Sequence, residues 1–246
     1  MTETSWYERP IAAFDLETTG RDARTARVVT ASICLIDGKN VEKFNWLADP
    51  GGTIPDEAAA IHGITTEYAQ ANGRPHKDVV AEVATTLASA WAQGFMVVAF
   101  NASYDLTVMD RVSTGFTVDG LVVDPYVIDR QMDKYRSGKR KLVDMCAAYG
   151  VKQEDAHEAE GDALAAARLV YKMARLPRVQ LPGWRETVID WPALRELSAH
   201  ELMAAQTEWH RERQLSFIDY LKSEGKPHDD VSVEWPVLPR RHTAAA

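Results

Sequence analysis

The spacing of hydrophobic residues changes along the chain, and each spacing predicts one type of element. Short continuous apolar runs predict buried strands, whereas apolar residues three or four apart predict helices with one buried face. The predicted strands cover residues 11–16, 28–36, 41–47, 95–100 and 121–123. The predicted helices cover residues close to 79–91, 105–113, 141–149, 161–174 and 194–221. Strands therefore dominate the first fifty residues, and helices and strands alternate after them.

The order of these elements predicts an α/β fold with a mixed sheet. The sequence Asp-Gly-Lys-Asn at 37–40 is typical of a hairpin turn between the second and third strands. The later alternation of strands and helices predicts parallel strands with helices on both faces. Sites in such sheets usually form at the carboxyl ends of the parallel strands, and Asp15 and Glu17 are predicted to lie at such an end. We therefore expect three antiparallel strands, then parallel strands, flanked by helices.

The last third of the chain has a different pattern. Proline and tryptophan residues interrupt it after residue 176, and a long helix and a tail follow. We interpret residues 1–176 as one domain, and residues 177–246 as a connector, a long helix and an extended tail that together form a C-terminal helical arm. Four apolar residues are expected to pack one face of this helix onto the domain: Trp209, Phe217, Tyr220 and Leu221.

Composition and charge narrow the possible partners. The net charge of −8 excludes a protein that coats nucleic acid by bulk attraction, so any nucleic-acid binding must be local. The apolar run at 95–100 is far shorter than the ~20 residues that cross a bilayer, so no membrane partner is expected. Residues 1–10 lack the features of a secretory signal, and we expect a cytoplasmic protein.

Two carboxylates near the end of the first strand are the first candidate for chemistry. Asp15 and Glu17 are two residues apart, so on a strand both project from the same face. Such a pair is costly unless a cation compensates it, and hard cations such as Mg²⁺ favour carboxylate oxygens. Taken alone, the pair also fits an ordinary acidic strand end that turns through Gly20 into a solvated loop.

Two further acidic positions follow a strand or precede a helix. Asp105 comes after the apolar strand at 95–100, and the segment from His157 to Asp162 leads into the helix at 161–174. Each has a simpler explanation, because aspartate caps helices and acids are favoured at helix N-termini. Helix capping and an acidic strand end explain each cluster singly, but they do not explain why all three acidic clusters lie at the ends of strands or helices. Together the three clusters therefore favour a functional site.

These motifs resemble those of the DEDDh 3′-to-5′ exonuclease family, which includes the epsilon proofreading subunit of bacterial DNA polymerase III. The matching residues are Asp15, Glu17, Thr18, Thr19 and Gly20, then Asn101 and Asp105, then His157 and Asp162. The resemblance covers roughly residues 10–174. A sister branch has tyrosine four residues before the last aspartate, where this chain has Glu158, so the histidine branch is indicated.

The resemblance implies a ribonuclease H-like fold and hydrolysis with two Mg²⁺ or Mn²⁺ ions. It implies that Asp15, Glu17 and Asp162 hold one ion, that Asp15 and the scissile phosphate hold the second, and that Asp105 acts mostly through bound water. His157 would be the general base. The product would be a nucleoside 5′-monophosphate released from a 3′ end.

Five residues outside the catalytic and metal-binding set are expected to contact the substrate: Thr18, Thr19, Glu57, His62 and Asn101. The family grips the free 3′-hydroxyl with the glutamate of its first motif and the adjacent backbone. It also carries a segment that resembles residues 61–65, in which His62 would contact the terminal nucleotide. Without the other motifs, His62 would fit equally well as a structural histidine in a turn that contains glycine.

Several alternatives concern the substrate and the partners. Thr18 favours DNA, with a single-stranded or frayed 3′ end, and a role in replication or repair, because the oligoribonuclease branch commonly has methionine there. An RNA 3′ exonuclease and a nuclease-like subunit that docks onto a polymerase stay open. Residues 214–218 resemble the peptide by which polymerase partners bind a sliding clamp, although they lie within a predicted helix. The basic run at 134–141 either grips the nucleic-acid backbone or forms a solvated loop.

Overall fold

The computed structural model describes residues 5–153, 157–181 and 187–240, and within them it contains a six-stranded mixed sheet with strand order β4-β3-β2-β1-β5-β6. The strands of this sheet are β1 (Ile11–Thr18), β2 (Val28–Asp37), β3 (Asn40–Asp49), β4 (Arg74–Pro75), β5 (Met96–Val98) and β6 (Val122–Val123). β2 is antiparallel to both of its neighbours, β1 and β3, whereas β5 is parallel to β1 and to β6. The predicted fold class is confirmed.

Helices cover both faces of this sheet and continue into the C-terminal arm. They are α1 (Asp56–His62), α2 (Thr66–Asn72), α3 (His76–Ala92), α4 (Ser103–Val112), α5 (Pro125–Met132), α6 (Leu142–Tyr149), α7 (Ala159–Met173), α8 (Trp191–Glu196) and α9 (Ala199–Ser223). A small hairpin of β7 (Val179–Leu181) and β8 (Thr187–Ile189) lies in the connector. Among the helices described, none is both long enough and apolar enough to cross a membrane.

Alternate residues of β1 lie on opposite faces of the sheet. Phe14 and Leu16 are buried in the core beneath α3 and α4, whereas Ala13 packs on the opposite face against Ala163 and Ala167 of α7. Small side chains at this contact let α7 approach the strand closely. Residues two and four positions after Ala13 share its face, so β1 presents its acidic side chains on the side where α7 begins.

The structure adds short helices that the hydrophobic pattern does not predict. α1 and α2 lie in the segment rich in glycine and proline after β3, and each has only seven residues. α5 follows Asp124, whose side chain accepts a hydrogen bond from the Tyr126 backbone and caps the helix. Helices of two turns present too few apolar positions to show a helical period, so propensity and capping define them instead.

The prediction of one long helix at 194–221 is wrong at its start. α8 ends at Glu196, and α9 begins after Ser198 with a capping box in which Ser198 and Glu201 satisfy each other's backbone N–H groups. These bonds provide hydrogen-bond acceptors for backbone N–H groups of the first turn, which have none within the helix. Two helices therefore meet at this point.

One buried amide fastens α9 to the edge of the sheet. Gln206 is fully buried; its side-chain nitrogen donates to the Val122 carbonyl at 2.9 Å, and its side-chain oxygen accepts from the Asp124 backbone N–H at 2.8 Å. β6 is an edge strand, so these two backbone groups would otherwise have no partner on that side. The glutamine thus completes the sheet edge.

Replacing Gln206 by leucine is expected to destabilise the protein by about 2 to 4 kcal/mol, because two buried backbone groups lose their partners while the side-chain volume is kept. Chemical denaturation measures the free energy of unfolding. Gln70→Ala is the matched control, since Gln70 is exposed on α2. A Gln206→Leu variant as stable as the Gln70→Ala control would contradict this account.

The extended tail is anchored and not loose. It contains no helix or strand between residues 227 and 240, yet Trp235 is buried in the core with α3 and α4. The Thr107 hydroxyl accepts from the Leu238 N–H at 2.9 Å, and Arg111 donates to the Leu238 carbonyl at 2.6 Å. The tail is therefore part of the packed structure.

The expected packing of α9 holds for only part of its length. Trp209 packs against the core, whereas Phe217 is 41% and Tyr220 is 50% exposed. The second half of the helix therefore presents aromatic side chains to solvent. Residues 214–218 lie within α9, as the sequence indicated.

Candidate active site

Three carboxylates converge where β1 meets the start of α7. Oxygen atoms of Asp15, Glu17 and Asp162 all lie within 4.8 Å of one another. The two strand residues share one face of β1, and Asp162 is in the first turn of the helix that packs on that face. The tertiary contact between Ala13 and α7 brings together charges that are more than 140 residues apart in the sequence.

A fourth carboxylate comes from the opposite side of the strand. Asp105 is buried in the first turn of α4, and its side chain accepts a hydrogen bond from the Leu16 backbone N–H at 3.1 Å. It therefore does more than start a helix, because the N-cap residue of α4 is Ala102. The bond fixes Asp105 next to the strand residues that carry the other acids.

His157 lies immediately before α7 and lines the same cleft as Glu17. Its backbone has φ of +69°, a left-handed conformation that is uncommon for a residue other than glycine. Its backbone N–H donates to Asp162, which opposes the rise that burial causes in the pKa of that carboxyl. The unusual backbone therefore places the imidazole beside the acidic cluster.

Hydrogen bonds from β3 to Glu160 hold the beginning of α7 against the sheet. Glu160 accepts hydrogen bonds from Lys43 and Asn45 of β3, both at 2.6 Å. The ammonium and the amide lower the pKa of Glu160. This contact closes one side of the cleft that contains His157.

The carboxylates of the cluster repel one another and are partly or fully buried, so their pKa values are raised. Burial raises the pKa of Asp15 well above its usual value, and the charges of Asp105, Glu17 and Asp162 raise it further. Burial and the Asp162 charge raise the pKa of Glu17 to about 7. Burial also raises the pKa of Asp105 and of Asp162, although a 2.7 Å hydrogen bond from Gln153 opposes it at Asp162. Asp15, Glu17 and Asp162 resist joint ionisation, and a hard divalent cation held between them would compensate their charge.

The raised pKa values predict that the metal-free protein loses stability as the pH rises. Glu17 binds its proton more tightly in the folded state, so the free energy of unfolding falls between about pH 4.5 and pH 7. The expected loss from Glu17 is on the order of 3 kcal/mol. Thermal unfolding should show Mg²⁺ restoring stability at pH 8 but having little effect at pH 5.

Asp124 adds a second pH dependence, which the experiment has to separate from that of Glu17. Burial raises its pKa to about 6, so it contributes a pH dependence of the same sign that a metal at the cluster does not relieve. Glu17→Gln should remove part of the pH dependence and weaken the Mg²⁺ effect at pH 8. Equal Mg²⁺ stabilisation at both pH values would show that these carboxylates do not govern metal binding.

Glu17 of the cluster lines two cavities, and His62 lines both as well. The larger, of about 570 Å³, extends between β3 and the start of α7 and includes His157. The smaller, of about 400 Å³, lies over Thr18, Thr19 and Glu57. Both fall in the range of small-molecule sites.

The predicted substrate residues around the smaller cavity are held by local bonds. The Thr18 hydroxyl donates to the Gly20 carbonyl at 3.0 Å and also contacts the Tyr104 hydroxyl, which donates to the same carbonyl. Burial raises the pKa of Tyr104 to about 12. The Thr19 hydroxyl accepts from the Arg27 N–H at 3.0 Å. Tyr104 and Gln153 are site residues that the motifs did not single out, and only their position beside the motif residues reveals them.

His62 and Asn101 lie on different sides of the site. His62 accepts a hydrogen bond from the Ile64 N–H at 3.2 Å, and burial lowers its pKa. Asn101 has φ of +58°, and its backbone N–H donates to Asp124 at 3.0 Å. Its exposed side chain lines a groove toward the arm and not the two cavities at Glu17. The structure thus separates Asn101 from the other predicted contacts.

Part of the basic run at 134–141 is internal, which neither alternative for this run anticipated. Arg136 donates to the buried carboxylate of Asp129 at 2.9 Å, and Arg140 pairs with the same carboxylate. Tyr149 also donates a hydrogen bond to this carboxylate, at 2.6 Å. These two arginines stabilise the loop after α5 and are not available to grip a nucleic acid.

A mixed sheet flanked by helices, with carboxylates clustered near the end of its central strand, is the arrangement that a ribonuclease H-like fold predicts. The family model described as exonuclease matches residues 12–170. The chain belongs to this exonuclease family, and the recognition from the three motifs is confirmed. The match ends within α7, so the arm lies outside it.

Similar proteins agree with this assignment. Over 191 residues and 74% of this chain, a PolC-type DNA polymerase III of Lactococcus lactis is 26% identical, and a DNA polymerase III subunit epsilon-like protein of Rhodobacter capsulatus is 29% identical. The aligned region spans 11% of the first protein and 26% of the second. Exonuclease I of E. coli, in a zinc-bound complex with single-stranded DNA, superposes with a TM-score of 0.54 at 18% identity, covering 68% of this chain and 40% of that one. This likeness concerns the fold.

Proposed function

We propose that this chain is a metal-dependent 3′-to-5′ exonuclease that removes nucleoside 5′-monophosphates from the 3′ ends of DNA. The observation that carries the proposal is the cluster of Asp15, Glu17 and Asp162, with ligand atoms within 4.8 Å of one another and His157 beside them. Membership of the exonuclease family supports the same reaction. The chain spans a small part of its polymerase relatives, so its own activity has to be measured.

The carboxylates fit two Mg²⁺ or Mn²⁺ ions by their chemistry. Asp15, Glu17 and Asp162 would hold one, Asp15 would share the other with the scissile phosphate, and Asp105 would contribute through water. When bound, such ions supply charge stabilisation to the phosphodiester and promote ionisation of the attacking water. The raised pKa values of the cluster are the physical reason that these residues favour divalent cations.

His157 is proposed to accept the proton of the attacking water on its imidazole ring. The left-handed backbone turns this side chain into the cleft, and the neighbouring carboxylates stabilise the imidazolium that forms. Glu160, held by Lys43 and Asn45, keeps the start of α7 in place and so positions the base.

The smaller cavity is proposed to receive the 3′-terminal nucleotide. Its wall contains Glu17, the backbone at Thr18 and Thr19, and His62, and it is of the size of a nucleotide site. A hydroxyl at the end of the chain would bond to Glu17 and the adjacent backbone. Glu57 lies at the outer rim, and Asn101 would contact the strand farther from its end.

DNA and a replicative polymerase are the proposed substrate and partner. The similar proteins from Lactococcus and Rhodobacter are described as a DNA polymerase III and an epsilon-like subunit, and exonuclease I was crystallised with single-stranded DNA. These descriptions support proofreading or repair at a frayed 3′ end. RNA is the competing substrate.

The test compares linear and circular single-stranded substrates. With Mg²⁺ or Mn²⁺, a 5′-labelled DNA 20-mer should yield a ladder that shortens from the 3′ end, whereas circular DNA of the same composition should stay intact. Cleavage of the circle would establish an endonuclease, and no hydrolysis with either metal would reject the proposed activity. Faster hydrolysis of the matched RNA would assign RNA as the substrate.

A further inference from the structure

A groove runs between α5, which lies within the region that matches the exonuclease family, and α9, which lies outside it. Its two connected parts have volumes of about 320 and 250 Å³. Arg130 of α5 and Arg213 of α9 line both parts, together with Trp209 and Phe217. The groove is therefore formed jointly by the domain and the arm.

The groove is cationic in a protein whose net charge is −8. Arg130, Lys134 and Arg213 line it, whereas Glu212 is its only acidic lining residue among those described. Arg130 donates to the Tyr126 hydroxyl at 3.2 Å, and its Nε atom is buried with no hydrogen-bond partner in the described part of the chain. Burial and the neighbouring Arg130 lower the pKa of Arg213. Two guanidinium groups are thus held close together without a carboxylate between them.

Aromatic rings continue the groove along the exposed half of α9. Phe217 and Tyr220 are stacked, with ring centroids 6.4 Å apart and an angle of 18° between the ring planes. Both rings are exposed to solvent, at 41% and 50%. Between Arg213 and Tyr220 the helix rises about 10 Å. Exposed rings next to arginines are the combination by which proteins bind single-stranded nucleic acid without reading its sequence.

The groove begins beside the candidate active site. Asn101 and Ser103 line its near end, and the next residue, Tyr104, lines the cavity that contains Glu17. Consecutive Cα atoms are about 3.8 Å apart, so the start of α4 contributes neighbouring residues to both spaces. A strand whose 3′ end lies in the cavity could therefore continue directly into the groove.

We propose that the α5–α9 groove binds the single-stranded nucleic acid that precedes the 3′-terminal nucleotide, through its phosphates at Arg130 and Arg213 and its bases on Phe217 and Tyr220. This inference rests on the proposed exonuclease function and adds the path of the substrate. The cations account for phosphate binding, and the exposed rings and the adjoining cavity favour a nucleic acid over an acidic peptide.

The test measures binding of fluorescein-labelled dT20 to the full chain in EDTA, by anisotropy at several salt concentrations. The double variant R130Q/R213Q is expected to bind at least about 10-fold more weakly, and the slope of log K against log salt should fall by about 1.4, or 0.7 for each lost phosphate contact. Arg211→Gln is the control, because Arg211 pairs with Glu208 and does not line the groove. Thermal unfolding confirms that the variants are folded.

A second pair of variants tests the stacking surface. Phe217→Ala is expected to weaken dT20 binding about 10-fold. Leu215→Ala is its matched control: Leu215 has the same 41% exposure on the same helix but does not line the groove. Phe217 is exposed, so its removal leaves the fold intact.

The outcomes separate this proposal from the proposed function. Because binding is measured without metal, weaker binding by R130Q/R213Q supports the groove even if the wild type hydrolyses no substrate. If the wild type degrades DNA from the 3′ end while R130Q/R213Q and Phe217→Ala bind dT20 as tightly as their controls, the groove proposal is overturned and the exonuclease is retained.

Discussion

Asp15→Asn is expected to reduce nuclease activity on the order of 10³-fold or more while making the metal-free protein more stable to heat. Asp15 is the carboxylate that the other three acids all repel, and burial opposes its charge as well. A neutral amide relieves this repulsion but removes a ligand oxygen from the cluster, and several kcal/mol of transition-state stabilisation depend on bound metal. Loss of activity with a gain in stability is the signature of a functional and not a structural carboxylate.

The experiment pairs turnover of a labelled DNA 20-mer with thermal unfolding in EDTA at pH 8. Asp37→Asn is the matched control, because Asp37 is an exposed carboxylate at the end of β2, remote from the cluster. The control should keep wild-type activity and stability. A variant at Asp15 that is both inactive and less stable would mean that the residue holds the fold together, and the account of the site would have to change.

His157→Asn is expected to reduce kcat by a factor of about 10² to 10⁴, the usual contribution of a general base. Asparagine tolerates the left-handed backbone conformation found at residue 157, so the turn before α7 should be preserved. The ring, and with it the proton acceptor, is lost.

Metal binding separates this effect from damage to the acidic cluster. Stabilisation by Mg²⁺ at pH 8 should be retained in His157→Asn, because the carboxylates of Asp15, Glu17 and Asp162 are unchanged. His200→Asn, at an exposed position in α9, is the control for the substitution itself. A variant that keeps wild-type kcat at all pH values would exclude His157 as the base.

The C-terminal arm is packed against the exonuclease domain and is more than an appendage to it. Its buried residues, including Leu202 and Gln206, pack into the same cores as the sheet, and its exposed half forms one wall of the groove. A family domain alone would lack Arg213 and Phe217. We therefore expect the arm to influence binding of long substrates more than the chemical step.

The sequence predicted the central part of the fold because that part depends on local patterns. Strands β1, β2 and β3 have eight to ten residues each, and their apolar runs are visible in the sequence without knowledge of what packs against them. The short helices α1, α2 and α5 were missed, since two turns of helix carry too little periodicity to be recognised. Ser198 ended the predicted long helix because a capping serine competes with continuation of the helix.

By itself the sequence determined the family, the type of sheet and the identity of the clustered acids, because the spacing within each motif is a local property of a strand or a helix. Only the tertiary structure decided which charges meet. It buries Arg136 and Arg140 on Asp129, and it leaves Arg130 and Arg213 facing one groove. These outcomes depend on how helices far apart in sequence pack together, and the energies that decide them, desolvation and pairing of charge, exist only after the chain has folded.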